Sequence, residues 1–383
     1  MLITFISAAK VVKKLQSRKF LVIFFIFFCI FHYNCVLLQP ENKEDMKRIL
    51  FPALVALMMM SCVNRNERLL TSATGSIYEC LVISTPTVKD AICSTMSADM
   101  YGLPQMEATF TVSHVTPAQF DDLFKGTRNI LLVDINPNKY TIVKATKSRD
   151  VWSTPQAMLR IQAPSEDAFM EYWQANGESV REWFVREELA RQRRFYRGST
   201  NKEARAILNR QGYDMLIPED YVLVESLKLR VESDSVDVVW CCNNKGPMRK
   251  DIVVYSYPYT SQEQFSTDSI IAMRNAVLGQ IVSAQVEGSH MGTEYKHFPP
   301  VSRQVAALRD SVGGFYAIET RGLWKILDGE AMGGPFVSLT RLDQVNGRVV
   351  TAEAFLFAAG QKKRNAMRQM EAILYSLVMP NER

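Results

Sequence analysis

Phe336-Val-Ser-Leu-Thr-Arg-Leu342, Asn346-Gly347 and Arg348-Val-Val-Thr-Ala-Glu-Ala-Phe-Leu-Phe357 read as two strands joined by a tight turn. An Asn-Gly pair supplies the left-handed backbone that hairpin turns demand. A helix is predicted next, from Lys362 to Leu377, where Ala366, Met367, Met370, Ile373, Leu374 and Leu377 recur on one face and Pro380 stops it. A striped helix directly after a hairpin has to bury that stripe against the sheet.

The same grammar extends backwards. Strands are predicted at Tyr221 to Val231, Val236 to Cys242, Ile252 to Tyr257 and Phe315 to Thr320, with a helix from Thr267 to Val282. In the first half, Ile77 to Ser84 reads as a strand, followed by a helix up to the Gly102-Leu-Pro104 break. Further strands are predicted at Ala108 to Val115, Asn129 to Ile135, Tyr140 to Ala145 and Ala157 to Gln162, with a short helix over Pro117 to Phe124. Ser165-Glu166-Asp167 has the cap and early acids of a long helix reaching Tyr196. Each half thus gives strands, a helix, more strands and a closing helix. The expected class is α+β, as two sandwich-like domains or halves over 77–211 and 212–383, with largely antiparallel sheets and helices on one face. No Gly-rich strand-to-helix loop suggests a nucleotide-binding fold.

Residues 1–61 read as targeting sequence. Met46-Lys47-Arg48 is a basic start, Ile49 to Met60 an apolar stretch too short to span about 30 Å of hydrocarbon, and Ser61-Cys62 its end. That layout predicts a lipoprotein signal over 46–61, cleavage before Cys62, and a membrane anchor through an N-terminal diacylglyceryl cysteine, with 62–76 as tether. An earlier apolar run, Phe20 to Leu38, is long enough to span, but a spanning helix just before a complete signal peptide is an odd design. Met46 is therefore the expected initiator and 1–45 an upstream extension. The expected address is the cell envelope, at the outer membrane facing the periplasm.

Charge follows from the same division. The chain has 45 basic and 40 acidic residues, of which eight and three fall in 1–61, leaving 37 of each after the signal. A neutral exported part removes the main support for a nucleic-acid partner. Cys80 and Cys93 could bridge in an oxidising compartment, whereas adjacent Cys241 and Cys242 on a strand point to opposite faces and cannot share a metal.

Chemistry is sparse. Tyr255, Tyr257 and Tyr259 end one strand, while Trp324, Met332, Gly333, Gly334 and Phe336 flank a loop. Aromatics beside glycines either line a cleft for a glycan or peptide, or are core and turn residues. Glu319 and Arg321 share a strand face, and Glu353 could oppose them as the second carboxylate of a hydrolase; a plain ion pair is the simpler reading. His114, His290 and His297 make no zinc or triad pattern. Arg191, Arg193, Arg194 and Arg197 could grip an anion, but Glu187 lies four residues before Arg191, so paired, solvated helix faces are expected. No catalytic residue, metal site or cofactor is assigned.

Several phrases carry a family resemblance: Lys125-Gly-Thr-Arg-Asn129-Ile130, Trp152-Ser-Thr-Pro155-Gln156, Tyr255-Ser-Tyr257-Pro258-Tyr259, Glu319-Thr-Arg321-Gly-Leu-Trp324-Lys325, Met332-Gly-Gly-Pro335-Phe336 and the Arg364 to Leu377 helix. In these, residues 75 to 378 resemble a Bacteroidota lipoprotein family known only as a domain of unknown function (4837). The resemblance implies an envelope lipoprotein and supplies no catalytic residues. The expected function is a non-catalytic role binding an envelope protein or glycan, with the hydrolase as the competing reading.

Overall fold

The computed structural model describes residues 70–306 and 316–382. Cys62, the expected signal and the upstream run lie outside them.

The first sheet has the order β3-β2-β4-β7-β5, from β2 (Glu79–Ile83), β3 (Thr111–Val115), β4 (Asn129–Ile135), β5 (Lys144–Arg149) and β7 (Ala157–Ala163). Two short strands, β1 (Thr71–Ser72) and β6 (Ser153–Thr154), pair beside it. The expectation of largely antiparallel sheets fails here. β2 pairs in parallel with β3 and β4, and β4 with β7; only β5 runs against its neighbour. The reason is burial on both faces. Leu81, Ile83, Ile130 and Met158 point to one apolar cluster, and Val82, Leu131, Leu159 and Ile161 to another. Unbroken apolar strands of this kind are the mark of covered, parallel pairing. The helix α1 (Pro86–Met96) makes the crossover from β2 to β3.

The short helix expected over 117–124 is absent. Thr116 and Leu123 instead donate their backbone N–H to side-chain oxygens of Gln119 (2.9 Å) and Asp121 (2.9 Å), turns that compete with a helix. The long helix is present as α2 (Glu166–Arg197), with Ser165 accepting from the Ala168 amide at 3.2 Å. A short α3 (Lys202–Arg210) follows.

The second sheet has eight strands and is antiparallel throughout: β8 (Val222–Val231), β9 (Asp234–Asn243), β10 (Arg249–Pro258), β11 (His290–Glu294), β12 (Val301–Ala306), β13 (Tyr316–Leu327), β14 (Gly333–Asp343) and β15 (Arg348–Phe357). The expected hairpin is β14–β15, in register from Asp343↔Arg348 to Phe336↔Phe355. One face carries α4 (Thr267–Ile281) over Val253, Tyr255, Phe336 and Phe355; the other carries Leu339, Ala352 and Val254 beneath α5 (Arg364–Leu374). The stripe Ala366, Met367, Met370, Ile373 and Leu374 is buried as expected.

The described residues pack as one unit. Its largest apolar cluster joins Val82 and Leu131 of the first sheet, Phe169 and Phe184 of α2, and Leu339, Ala352 and Ile373 of the second half. Polar contacts cross the same seam. Glu107, before β3, accepts hydrogen bonds from the backbone N–H groups of Lys363 (2.6 Å) and Arg364 (3.0 Å), so a carboxylate from the first half caps the N-terminus of α5. Among the described residues no helix is long and apolar enough to cross a membrane.

Candidate functional site

The aromatic and glycine phrases are interior structure. Tyr255 and Tyr257 stack at 6.4 Å and are buried. The Trp324 indole donates to the Leu356 carbonyl at 3.1 Å and meets Phe355 edge-on at 5.9 Å. Phe336 is fully buried beneath the Arg274 guanidinium, 4.1 Å from its ring centre, and half-buried Met332 packs on this cluster. Of the aromatic residues in these phrases only Tyr259 is exposed, beside Phe265. The glycines let strands approach: a Cβ on Gly334 would fall 1.9 Å from the Leu356 carbonyl oxygen, and one on Gly333 2.5 Å from that of Trp324.

Glu319 and Glu353 do not converge. Glu319 stands in register with Leu339, and Glu353 with Ser338, its neighbour in sequence; partners across a ladder share a face, so the two carboxylates point to opposite sides of the sheet. A hydrolase pair of these residues is thereby ruled out.

Glu353 faces α4, where Arg274 Nε donates to it at 2.9 Å. Both side chains are wholly buried, and the second carboxylate oxygen of Glu353 has no partner among the described residues. Burial outweighs the arginine and raises the carboxyl from 4.5 to about 7. Between those values the native state holds a proton that the unfolded chain has released, so this group's contribution falls as pH rises from about 4.5 to about 7. The unfolding free energy of the wild type relative to Glu353→Gln should therefore decline by about 3 kcal/mol across that window. Urea titrations at several pH values would measure it, and a difference independent of pH would refute the assignment.

Glu319 faces the other way, into a cluster that α5 closes. It accepts from Arg321 Nε (2.9 Å) and Nη2 (3.1 Å), Arg303 Nε (2.8 Å) and the Tyr375 hydroxyl (2.6 Å). Arg321 reaches on to Glu371 (2.7 Å), which also binds Arg368 (2.8 Å). Burial opposes the charge on Glu319, but the arginines and the hydroxyl override it and hold the carboxyl well below its ordinary range. Such a group cannot supply a proton near neutrality and has no open lone pair with which to take one. Above the cluster, between α2 and β12, lies a cavity of about 420 Å³ that Tyr101, Arg303, Arg368 and Tyr375 help to line.

Of the sequence candidates, only Glu319 and Arg321 belong to this place. Arg303, Arg368, Glu371, Tyr375 and Tyr101 were not anticipated. The one available signal was Arg368 and Glu371, three apart and embedded in the apolar stripe of their helix.

The arginine run near the end of α2 also departs from expectation. Glu187 binds Arg149 (2.6 Å) rather than Arg191, and Arg191 and Arg193 are buried. Arg191 donates to the carbonyls of Arg128 (3.0 Å) and Pro155 (3.3 Å) and pairs with Glu188 (3.1 Å). Glu188 also accepts from Asn129 (2.7 Å) and Arg128 (2.8 Å). Gln156 bridges to the carbonyls of Lys125 (2.8 Å) and Thr127 (2.7 Å). Two phrases distant in sequence, 125–130 and 152–156, are therefore joined by side-chain hydrogen bonds to backbone carbonyls at the start of the parallel strands. Ligands in such sheets gather at the opposite, carboxyl ends, so this is a structural joint.

The four described cysteines are free thiols, with Cys80 and Cys93 unbridged. Burial raises the Cys241 thiol to about 12. No group of three or more metal-ligating side chains occurs among the described residues.

No curated protein matches the chain. A solved structure of cyanobacterial PsbP (CyanoP) from Synechocystis sp. PCC 6803 is similar over 47% of this chain and 89% of its own, at 11% identity and a TM-score of 0.27. Two family models divide what the sequence presented as one resemblance, meeting at the end of α2. Residues 73–197 match the family model described as a domain of unknown function, DUF8532, and residues 199–376 match that described as a domain of unknown function, DUF4837.

Proposed function

We propose that the chain is an exported cell-envelope protein, anchored through lipid on Cys62 and serving a binding or scaffold role without catalysis. The address rests on Met46-Lys47-Arg48, the apolar stretch to Met60 and the Ser61-Cys62 junction, together with the likeness to Bacteroidota lipoproteins. Acyl chains at roughly 0.8 kcal/mol per buried methylene would hold it at the outer membrane, facing the periplasm. The observation that carries the binding role is the state of the two carboxylates. Glu319 is saturated by four donor contacts, Glu353 is paired with Arg274, and the two occupy opposite faces. The place left for a partner or glycan is the cavity between α2 and β12.

The test is metabolic labelling with a palmitate analogue. Wild-type chain should carry label and sediment with membranes, while Cys62→Ser should lose the label and enter the soluble fraction. Unlabelled wild-type chain would overturn the anchor. Hydrolysis of a glycan, ester or peptide that Glu319→Gln abolished would overturn the non-catalytic role.

A further inference from the structure

The charge beneath the cavity does not balance. Three arginines, Arg303, Arg321 and Arg368, meet two carboxylates, Glu319 and Glu371, and their contacts form one connected cluster. Arg321 and Arg368 are 2% and 6% exposed, so the excess positive charge lies where water screens it poorly. Nearby carboxylates keep all three guanidiniums protonated despite their burial. The wall from α2 does not cancel the excess: Glu178 pairs with Arg181 at 3.1 Å, and Glu182 is matched by Arg186 in number.

Arg303 is the part of this cluster that a ligand can reach. Its side chain is 35% exposed, its Nε is committed to Glu319, and its Cζ lies 4.7 Å from the centre of the Tyr101 ring. Its two terminal nitrogens have no acceptor among the described residues. A guanidinium held over a ring, with its outer edge open, is prepared for two parallel hydrogen bonds to an oxyanion. Tyr101 is 41% exposed and continues that surface outward. The volume, about 420 Å³, lies within the roughly 300–1,000 Å³ usual for small-molecule sites.

We propose that this cleft binds a compact anion, its oxyanion group on the open edge of Arg303 near Arg368 and its body against Tyr101. The proposal rests on the binding role inferred above and assigns that role a ligand chemistry. A single excess positive charge beside a neutral α2 wall is too little to hold a polyanion such as nucleic acid. The oxyanion could be a carboxylate, as on an acidic sugar, or a free phosphate.

Titration calorimetry on the full chain in detergent, with D-glucuronate, inorganic phosphate and D-glucose as probes, separates these cases. Glucuronate should bind about tenfold or more tightly than glucose, and Arg303→Gln should weaken it by about tenfold or more. Phosphate bound in preference to glucuronate, with the same loss in Arg303→Gln, would support the anion site and assign its source as phosphate. Arg303→Gln leaves Arg321 and Tyr375 on Glu319; should it nevertheless misfold, Tyr101→Ala, which alters only the exposed platform, should still weaken glucuronate severalfold. No heat from either anion, equal binding of glucose, or undiminished binding in the folded variants would overturn the proposal. That result would leave the lipid anchor intact, because the anchor stands or falls on the Cys62 label.

Discussion

Arg321→Ala should lose about 3–5 kcal/mol of stability, enough to deplete the folded protein in most small-domain settings. Arg321 is 2% exposed and, among the described residues, is the side chain that binds both Glu319 and Glu371. Its removal leaves two buried carboxylates to the remaining partners, Arg303 and Tyr375 on one side and Arg368 on the other. It also empties the space beside Gly102, where an added Cβ would lie 2.6 Å from Arg321 Cδ. Arg321→Lys should recover only part of the loss, since a point-like ammonium cannot reproduce the two bonds to Glu319 while reaching Glu371. Equilibrium urea unfolding would read both variants. A loss below about 1 kcal/mol for the alanine variant would mean that the cluster is far more solvated than its burial implies.

Gly334→Ala should cost at least about 3 kcal/mol, beyond the usual range for overpacking, because the obstacle is backbone. The new methyl would be placed 1.9 Å from the Leu356 carbonyl oxygen and 3.0 Å from Trp324 Nε1, the two atoms of a buried hydrogen bond. Strands β14 and β15 would have to part, or the indole would have to abandon its acceptor. Gly198→Ala is the matching control, with φ of −81° and its nearest neighbour, the Phe195 carbonyl, at an ordinary 3.6 Å. Equal melting temperatures for the two variants would show that Gly334 is not a close-approach position. This result also bears on function, for it separates glycines that hold a sheet together from glycines that would open a cleft.

Long periodic segments were legible in the sequence. The 32-residue helix α2, with Ser165 at its start, and the hairpin from Phe336 to Phe357 follow from local pattern alone. The strands β11 and β12 did not. His290-Met-Gly-Thr-Glu294 and Val301-Ser-Arg-Gln-Val-Ala306 have little apolar alternation, and their pairing with β13 is what makes them strands. The strand expected to stop at Thr320 runs on to Leu327, because Gly322 is not a break: it makes room for the Phe336 ring, 2.7 Å from where a Cβ would be. The short α3 was missed because it buries only Ala204 and Leu208. Parallel pairing in the first half was visible as unbroken apolar runs, yet strands that short also fit antiparallel sheets.

The candidate site was half-legible for a similar reason. Glu319 and Arg321 are two apart on a strand and must share a face. Arg303, Arg368, Glu371 and Tyr375 come from two other elements, and nothing local signals that they meet. Alternation also determines that Glu319 and Glu353 diverge, but only once the register of β13 on β14 and β15 is known. The aromatic phrases misled because Tyr and Trp serve cores and clefts equally well, and burial alone decides between them.

The carboxylate of Glu107 on the first turn of α5 has a consequence for biosynthesis. The two partners are made 256 residues apart, the acid early and the amides late. Until residues 364–374 have left the ribosome, the apolar faces that α5 covers stay open and Glu107 has no helix end to cap. The shared core and this cap are therefore completed only when the last helix is made. On the export route proposed above, such a delay would keep the chain extended enough to be threaded across a membrane.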